Sequence, residues 1–346
     1  MSTDAEPLHV GIDLGTSRSA ISSANGVRTS IPSFVGYARD VVSRKLLGKD
    51  VLYGQEALDH RLSVDLYRPL EKGVLKSSQA DGSGTIDDQS KAAKDLIDEL
   101  IRLSEPEPGQ KIFAVIGAPA QASIRNKEAI LDAARERVDA VMLCSEPFAV
   151  AYGLEMLEDA LVVDIGAGTV DLCRMHGTMP EESDQLTLTT AGDHIDERLM
   201  KVVAERHPEA QFTIGMIKEL KERHASVSEN MDQALCELPV EGKPTEFDLT
   251  DPIRDCCREI VPPIVEGLAK LIASFDPEFQ TRLKNRVLLA GGGSQIKGLD
   301  VVLEQQMRER LGAGRVQRVE EPLFGGSNGA LKIAQDMPLD LWEQMR

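Results

Sequence analysis

The feature that most constrains this chain is a short element that occurs twice. Residues 8–12 form an apolar, β-prone run that enters Asp13-Leu14-Gly15-Thr16-Ser17. Residues 160–163 form a second such run, entering Asp164-Ile165-Gly166-Ala167-Gly168-Thr169. The two aspartates stand roughly 150 positions apart, about one domain length. Each half also finishes alike: Pro147-Phe148 precedes Gly153, and Pro322-Leu323-Phe324 precedes Gly329, each at a helical stretch. One such agreement is easily accidental. Two in the same order predict a duplicated chain, 346 residues in two related halves with a cleft between them.

Between these landmarks strands alternate with helices, which predicts the α/β class. Apolar residues recur at helical spacing over 95–103, and Pro106-Glu107-Pro108-Gly109 stops that helix. Residues 112–116 are a β-rich run ending at Gly117-Ala118-Pro119, followed by a long helix over about 123–138 and a short strand over 141–144. The Ser-, Gly- and Asp-rich stretch 77–85 reads as a mobile surface loop. Residues 287–290 form a strand that enters Gly291-Gly292-Gly293-Ser294, with a helix over 300–311. No low-complexity tract or long linker separates the halves.

Composition removes whole classes of partner. The 39 Lys and Arg are outnumbered by 57 Asp and Glu, for a formal charge of −18. Nucleic acid and anionic membranes select clustered cations, so neither nucleic-acid binding nor direct membrane insertion is expected. With 42% apolar residues the chain can fill a core, and with only 4% aromatic that core must be aliphatic. Cys144, Cys173, Cys236, Cys256 and Cys257 follow no CxxC or Cys/His ligand spacing, and adjacent Cys256 and Cys257 would close a strained ring. They read as reduced, buried thiols of a cytoplasmic protein. His176, His194, His207 and His224 read as surface or packing residues. Residues 1–7 lack a signal-peptide apolar region, and no apolar run reaches the roughly 18–20 residues of a membrane span.

The chemistry concentrates at the strand ends. Glycines and small hydroxyl residues straight after a strand permit a tight hairpin whose backbone N–H groups point at one anion, with Thr16, Ser17 and Thr169 adding hydroxyl donors. An aspartate at the end of each strand can hold hydrated Mg²⁺, the hard cation that accompanies phosphates. The plain alternative is that each glycine serves only a β-turn, and a glycine triplet such as 291–293 can equally be a linker. Neither GxxxxGK[ST] nor a GxGxxG at a strand-to-helix turn is present, which disfavours those nucleotide folds.

Residues 12–17 resemble the first phosphate loop of the actin, DnaK-chaperone and sugar-kinase superfamily. Residues 163–171 (Val-Asp-Ile-Gly-Ala-Gly-Thr-Val-Asp) resemble its second loop, and 289–298 its adenosine loop. Residues 145–153 and 325–331 resemble its two connecting helices. All five signatures stand in the superfamily's order and span both halves. Tyr53-Gly54-Gln55-Glu56-Ala57, the stretch 67–74 and Ile217-Lys218-Glu219 are similar to actins and their bacterial relatives. A DnaK-type chaperone would need a further peptide-binding domain after residue 346, and the commoner sugar kinases are longer. Residues 160–208, with Gly177-Thr178-Met179-Pro180 and the run from Ala191 through Leu199, resemble the magnetosome-associated bacterial actins, the MamK family. So does the tail 337–342.

That resemblance implies a duplicated actin-like, ribonuclease H-like α/β fold, with two halves around a nucleotide cleft, each carrying a large and a small subdomain. The implied boundaries are 1–152 plus 322–346, with a small subdomain at about 33–74, and 153–321, with a small subdomain at about 196–249. It implies that Asp13 and Asp164 hold Mg²⁺ through water and orient the attacking water. Glu146 would activate that water, and Asp171 would stand near the γ-phosphate. Gly15, Thr16, Ser17, Gly166, Gly168, Thr169, Gly192, Gly291, Gly292 and Ser294 would contact ATP or ADP. Lys218 and Glu219 would reach ribose and adenine, and Ile296 would cover the base. Read without the resemblance, Glu146 is equally a helix N-terminal acid favoured by the macrodipole, and Lys218 and Glu219 an exposed helix face.

This sequence departs from actins in two places: Arg18 and Ser19 follow a first loop one residue shorter, and Ala167 replaces an acidic ribose contact. The implied function is an ATPase that assembles head to tail into a homopolymer, hydrolyses ATP to control it, and organises magnetosomes through magnetosome-associated adaptor proteins. The alternative is a non-polymerising phosphotransferase or chaperone-like ATPase. The tail holding Trp342, Leu339, Leu341 and Met345 reads as a docked segment or partner contact, with a membrane-binding helix as the alternative.

Overall fold

The computed structural model describes residues 6–72, 74–75 and 86–345. The expected 77–85 loop lies outside the described residues. The chain divides into two units, one of residues 1–157 with 323–346 and one of residues 158–322.

The first unit is built on β1 (Leu8–Leu14), β2 (Arg18–Ser23), β3 (Arg28–Pro32), β4 (Ile112–Ala118) and β5 (Ala140–Ser145), in the spatial order β3-β2-β1-β4-β5. β1, β2 and β3 are joined by hairpins and antiparallel, whereas β1, β4 and β5 are parallel. β4, Ile-Phe-Ala-Val-Ile-Gly-Ala, is buried along its whole length, as a parallel strand covered on both faces must be. Helices Ile86–Leu103 and Ile124–Arg135 follow β3 and β4 in sequence, the second capped by Ser123, whose hydroxyl accepts from Asn126 N–H. The helix foreseen over 95–103 thus begins nine residues earlier.

The second unit repeats the plan with β6 (Ala160–Ile165), β7 (Val170–Met175), β8 (Gln185–Leu188), β9 (Val287–Ala290) and β10 (Val316–Arg318), in the order β8-β7-β6-β9-β10. Again two hairpins give three antiparallel strands, and β9 and β10 add in parallel. The same five-strand topology built twice is the duplication foreseen from the paired aspartates. Its core is aliphatic, with Leu161, Val163, Leu172, Ile195, Leu199, Ile264 and Leu268 all buried, as the scarcity of aromatics requires. Each unit also carries a smaller sheet. In the first it comprises Val35–Ala38, Val51–Tyr53 and Val64–Tyr67 around Leu52, Ala57 and Val64; in the second it is the hairpin Leu235–Val240 with Lys243–Asp248.

Within the first unit, helices Glu146–Gly153 and Gly325–Asp336 cross at backbone contact. A Cβ added at Gly329 would fall 1.7 Å from the carbonyl oxygen of Ala149, and one at Gly153 would fall 3.0 Å from Gly329 Cα. The second helix also lies on β1, where a Cβ at Gly11 would fall 2.2 Å from the carbonyl oxygen of Ser327. The repeated Pro/Phe…Gly pattern therefore marks a helix pair that touches through glycine. Trp342, in helix Leu339–Gln344, is fully buried. It stacks on Phe113 at 5.1 Å and donates its indole N–H to the carbonyl of Ala334 at 3.3 Å. The tail is a docked segment. Among the described residues no helix is long and apolar enough to cross a membrane.

Gly329→Ala is expected to destabilise the first unit by about 2–3 kcal/mol, because backbone blocks the added methyl. Gly215→Ala, whose Cβ would meet nothing closer than 3.7 Å, should be neutral or stabilising by up to about 1 kcal/mol. Urea unfolding followed by far-ultraviolet circular dichroism, with the fluorescence of Trp342 reporting the first unit, measures both.

Candidate functional site

In the first unit the candidate side chains gather where three parallel strands end. Asp13 of β1 pairs in register with Gly117 of β4, and Gly117 with Cys144 of β5; two residues later Glu146 opens helix Glu146–Gly153. Small residues make room. A Cβ at Gly117 would fall 3.3 Å from Glu146 Cγ, and one at Gly326 would fall 2.7 Å from Asp13 Oδ2. Burial pushes the Asp13 carboxyl up to about 6, so its charge is held at a cost. Burial, reinforced by the negative charges of Glu146 and Asp13, pushes the Cys144 thiol up to about 12 and keeps it neutral.

The turn from β1 to β2, Gly15-Thr16-Ser17, is pinned by its carbonyls. The Ser33 hydroxyl donates to Gly15 O at 2.6 Å, Arg68 Nε to Thr16 O at 2.8 Å, and Ser33 N–H to Ser17 O at 2.9 Å. In a trans peptide the N–H points opposite to the C=O. Anchoring the carbonyls of Gly15 and Thr16 on the protein side therefore directs the amides of Thr16 and Ser17 the other way. A turn that needed only to reverse the chain would not require three such anchors. Arg18 lies along β3, donating to Ser30 Oγ at 3.1 Å.

The second unit uses the same device. Gly166 N–H donates to Thr169 O at 2.9 Å, closing the β6–β7 turn. Behind it, the first two amides of helix Gly192–Arg206 bind its carbonyls: Gly192 N–H to Gly166 O at 3.2 Å and Asp193 N–H to Ala167 O at 2.7 Å. The amides of Ala167 and Gly168 are turned away accordingly. Gly192 is close enough that a Cβ would fall 3.1 Å from Ala167 Cα, so a side chain there would displace the turn.

Asp164 and Asp171 stand directly opposite each other on β6 and β7, both buried, with Thr187 Oγ1 donating to Asp171 Oδ1 at 2.5 Å. Like charges facing each other across a strand pair are unfavourable in isolation. The third loop packs on Asp164. Gly291 has φ +75°, and a Cβ on it would fall 2.3 Å from Asp164 Oδ1. The glycine triplet is thus a built turn, the 3₁₀ segment Gly292–Gln295, and the alternative of a linker falls. Ser294 is fully buried and donates its hydroxyl to Gly291 O at 2.7 Å.

The structure brings Asp13, Gly15, Thr16, Ser17 and Glu146 together in the first unit. In the second it brings together Asp164, Gly166, Gly168, Thr169, Asp171, Gly192, Gly291, Gly292 and Ser294. Ile296 is not brought to the loop surface; it is 6% exposed and packs into the second unit's core. Glu219 is exposed and pairs with Arg223 at 2.9 Å, while Lys218 is partly buried 3.9 Å from Glu222 Oε1. Sequence reading passed over Ser33, Arg68, Gly117, Gly326 and Lys221. Arg68 and Gly326 fall inside stretches already singled out by resemblance, but nothing in the spacing of Ser33 or Lys221 announces them. Among the described residues no group of three or more His, Cys, Asp or Glu is arranged to hold a metal ion.

A profile of the MreB/Mbl protein family matches residues 7–338. Over 338 residues the chain is 40% identical to the actin-like protein MamK of Paramagnetospirillum magneticum, covering 98% of this chain and 95% of that one. Among solved structures, a MamK double helical filament superposes with a TM-score of 0.91 at 39% identity, covering 96% of this chain and all of the other. A non-polymerising MamK mutant bound to AMPPNP superposes at 0.72, also at 39% identity, covering 96% of this chain and 99% of that one. Aligned from end to end, and with the same five-strand topology built twice, the chain belongs to the MreB/Mbl family of actin-like proteins.

Proposed function

We propose that this protein is an ATP-dependent, filament-forming bacterial actin that hydrolyses ATP to control its polymer and organises magnetosomes in the cytoplasm. The likeness of the whole chain to a subunit of the MamK filament carries the proposal. The two carbonyl-anchored loops support it, because backbone amides turned outward beside hydroxyls suit the phosphates of a nucleotide.

In this reading Thr16, Ser17 and Gly15 hold phosphate oxygens from the first unit, and Gly166, Gly168 and Thr169 from the second. Gly291, Gly292 and Ser294 line the path of the nucleoside, and Lys218 and Glu219 reach its sugar and base. Glu146 accepts a proton from, or orients, the water beside the γ-phosphate, with Asp171 supporting that water; positioning supplies most of the catalysis. Mg²⁺ fits the donor set. In this reading Asp13 and Asp164 would offer it carboxylate oxygens from strand ends, the hard donors it takes. When bound, Mg²⁺ neutralises phosphate charge. The polymer is head to tail, an open heterologous assembly, and magnetosome-associated adaptors are its partners.

The acidic surface sets the salt response. Each subunit adds −18, so filaments repel one another. Sedimented protein is expected to increase with ATP–Mg²⁺ and again with added salt; pelleting indifferent to both contradicts the proposal. Glu146→Ala is expected to keep ATP binding and assembly while slowing phosphate release about a hundredfold or more, and so to delay disassembly. Wild-type phosphate release in that variant removes Glu146 from the chemistry.

Asp13 gives a stability test. Its carboxyl is raised from 3.8 to about 6, so the folded state prefers the neutral acid. The cost of its charge is absent below about pH 4, grows between pH 4 and 6, and is complete above. Asp13→Asn is therefore expected to stabilise the nucleotide-free protein by at least about 1 kcal/mol at pH 7.5 and by little at pH 4, as read by thermal melts at both pH values.

A further inference from the structure

Helices Ile214–His224 and Gly192–Arg206 share the second unit's aliphatic core, and beside it a buried cation links them. Lys221 is 9% exposed; its ammonium stands 2.7 Å from Asp196 Oδ1 and donates to the carbonyl of Gly192 at 3.2 Å. Asp196 is itself 3% exposed, and burial lifts its carboxyl despite the pull of Lys221. Burying both charges costs each its hydration, and an aliphatic pair of similar volume would hold two helices together at least as well. An aliphatic pair cannot, however, bind a backbone carbonyl.

The carbonyl in question belongs to the residue that anchors the second loop. Gly192 offers its N–H to Gly166 O and its C=O to Lys221, and the next amide, of Asp193, goes to Ala167 O. The chain of contacts thus runs from the 166–169 turn, through Gly192, to Lys221. Lys221 follows Lys218 by three residues, which places the two on neighbouring positions of one helix face.

We infer that Lys221 is a positioning residue. With Asp196 as its counter-ion, it ties the helix that presents Lys218 and Glu219 to the 166–169 loop through the Gly192 carbonyl. Nucleoside and phosphate recognition then move as one piece. The ligand in this inference rests on the proposed ATP function; the tether does not, because every contact in it is internal to the second unit.

The test replaces the charged pair by an aliphatic one, Lys221→Met with Asp196→Leu, in the full chain. In the absence of nucleotide, hydrogen exchange at the amides of Gly192 and Asp193 is expected to accelerate about tenfold while the thermal midpoint stays within a few degrees of wild type. Affinity for a fluorescent ATP analogue is expected to fall about tenfold, with kcat changed less than about threefold. Lys221→Arg keeps a buried donor and is expected to retain slow exchange and ATP affinity within about threefold of wild type.

Wild-type exchange at both amides, or wild-type ATP affinity, in the aliphatic variant would overturn the assignment, since a packing role alone is met by that pair. If the double variant does not fold, Lys221→Met with Asp196→Asn, which also removes the donor but keeps a near-isosteric neutral partner, carries the same expectation and the same contrary result. Loss of protection at Gly192 in a protein whose wild type binds no ATP would overturn the ATP function and leave the tether standing.

Discussion

Both loops depend on one device: their carbonyl oxygens are bound from behind. Ser33 and Arg68 take the carbonyls of Gly15, Thr16 and Ser17 in the first unit, and the opening amides of helix Gly192–Arg206 take those of Gly166 and Ala167 in the second. Because a peptide's two polar groups point oppositely, fixing the C=O fixes the direction of the next N–H. The amides are thereby aimed by covalent geometry and held by tertiary contacts, before any ligand arrives. Such preorganisation is what recognition of a phosphate requires, since amides that had to be ordered on binding would lose much of their contribution to entropy.

Around this device the packing is cut back to glycine wherever a carboxylate or a backbone must come close. Gly326 and Gly117 stand against Asp13 and Glu146, and Gly291 against Asp164. Among these carboxylates Asp13 works against stability, because burial disfavours its charge. A chain selected only to pack two sheets would place aliphatic residues at these strand ends. The same economy of side chains lets helices Glu146–Gly153 and Gly325–Asp336 cross through Gly153 and Gly329, which sets Glu146 and the Gly326 backbone on the strands that carry Asp13 and Gly117.

Much of this was legible in the sequence because it is written in local patterns. The two strand–Asp-x-Gly elements, β4 and the helix after it need only a few consecutive residues to declare themselves, and the twofold repetition foretold one plan built twice. What was not legible depends on residues distant in the chain. Ser33 and Arg68 reach back 18 and 52 positions to the first loop, and Lys221 reaches back 29 to Gly192. No periodicity encodes such contacts. Lys221 in particular lies in a helix where a lysine ordinarily signals solvent, and only its burial against Asp196 reveals otherwise. Ile296 illustrates a different ambiguity: an apolar residue after a glycine turn suits either a ligand's flat face or the core, and at the end of the 3₁₀ turn it packs with the second unit's core.

The charge of −18 first served to set aside nucleic acid, and in a polymer it becomes a repeating load that counterions must accompany. The central claim is that ATP drives assembly of the chain. Negative-stain microscopy of the purified full-length protein with ATP–Mg²⁺, and without nucleotide, tests it most directly. Filaments that form with ATP–Mg²⁺ and are absent without nucleotide are the predicted result. Single particles in ATP at every salt concentration, or filaments that form equally well without nucleotide, would contradict it.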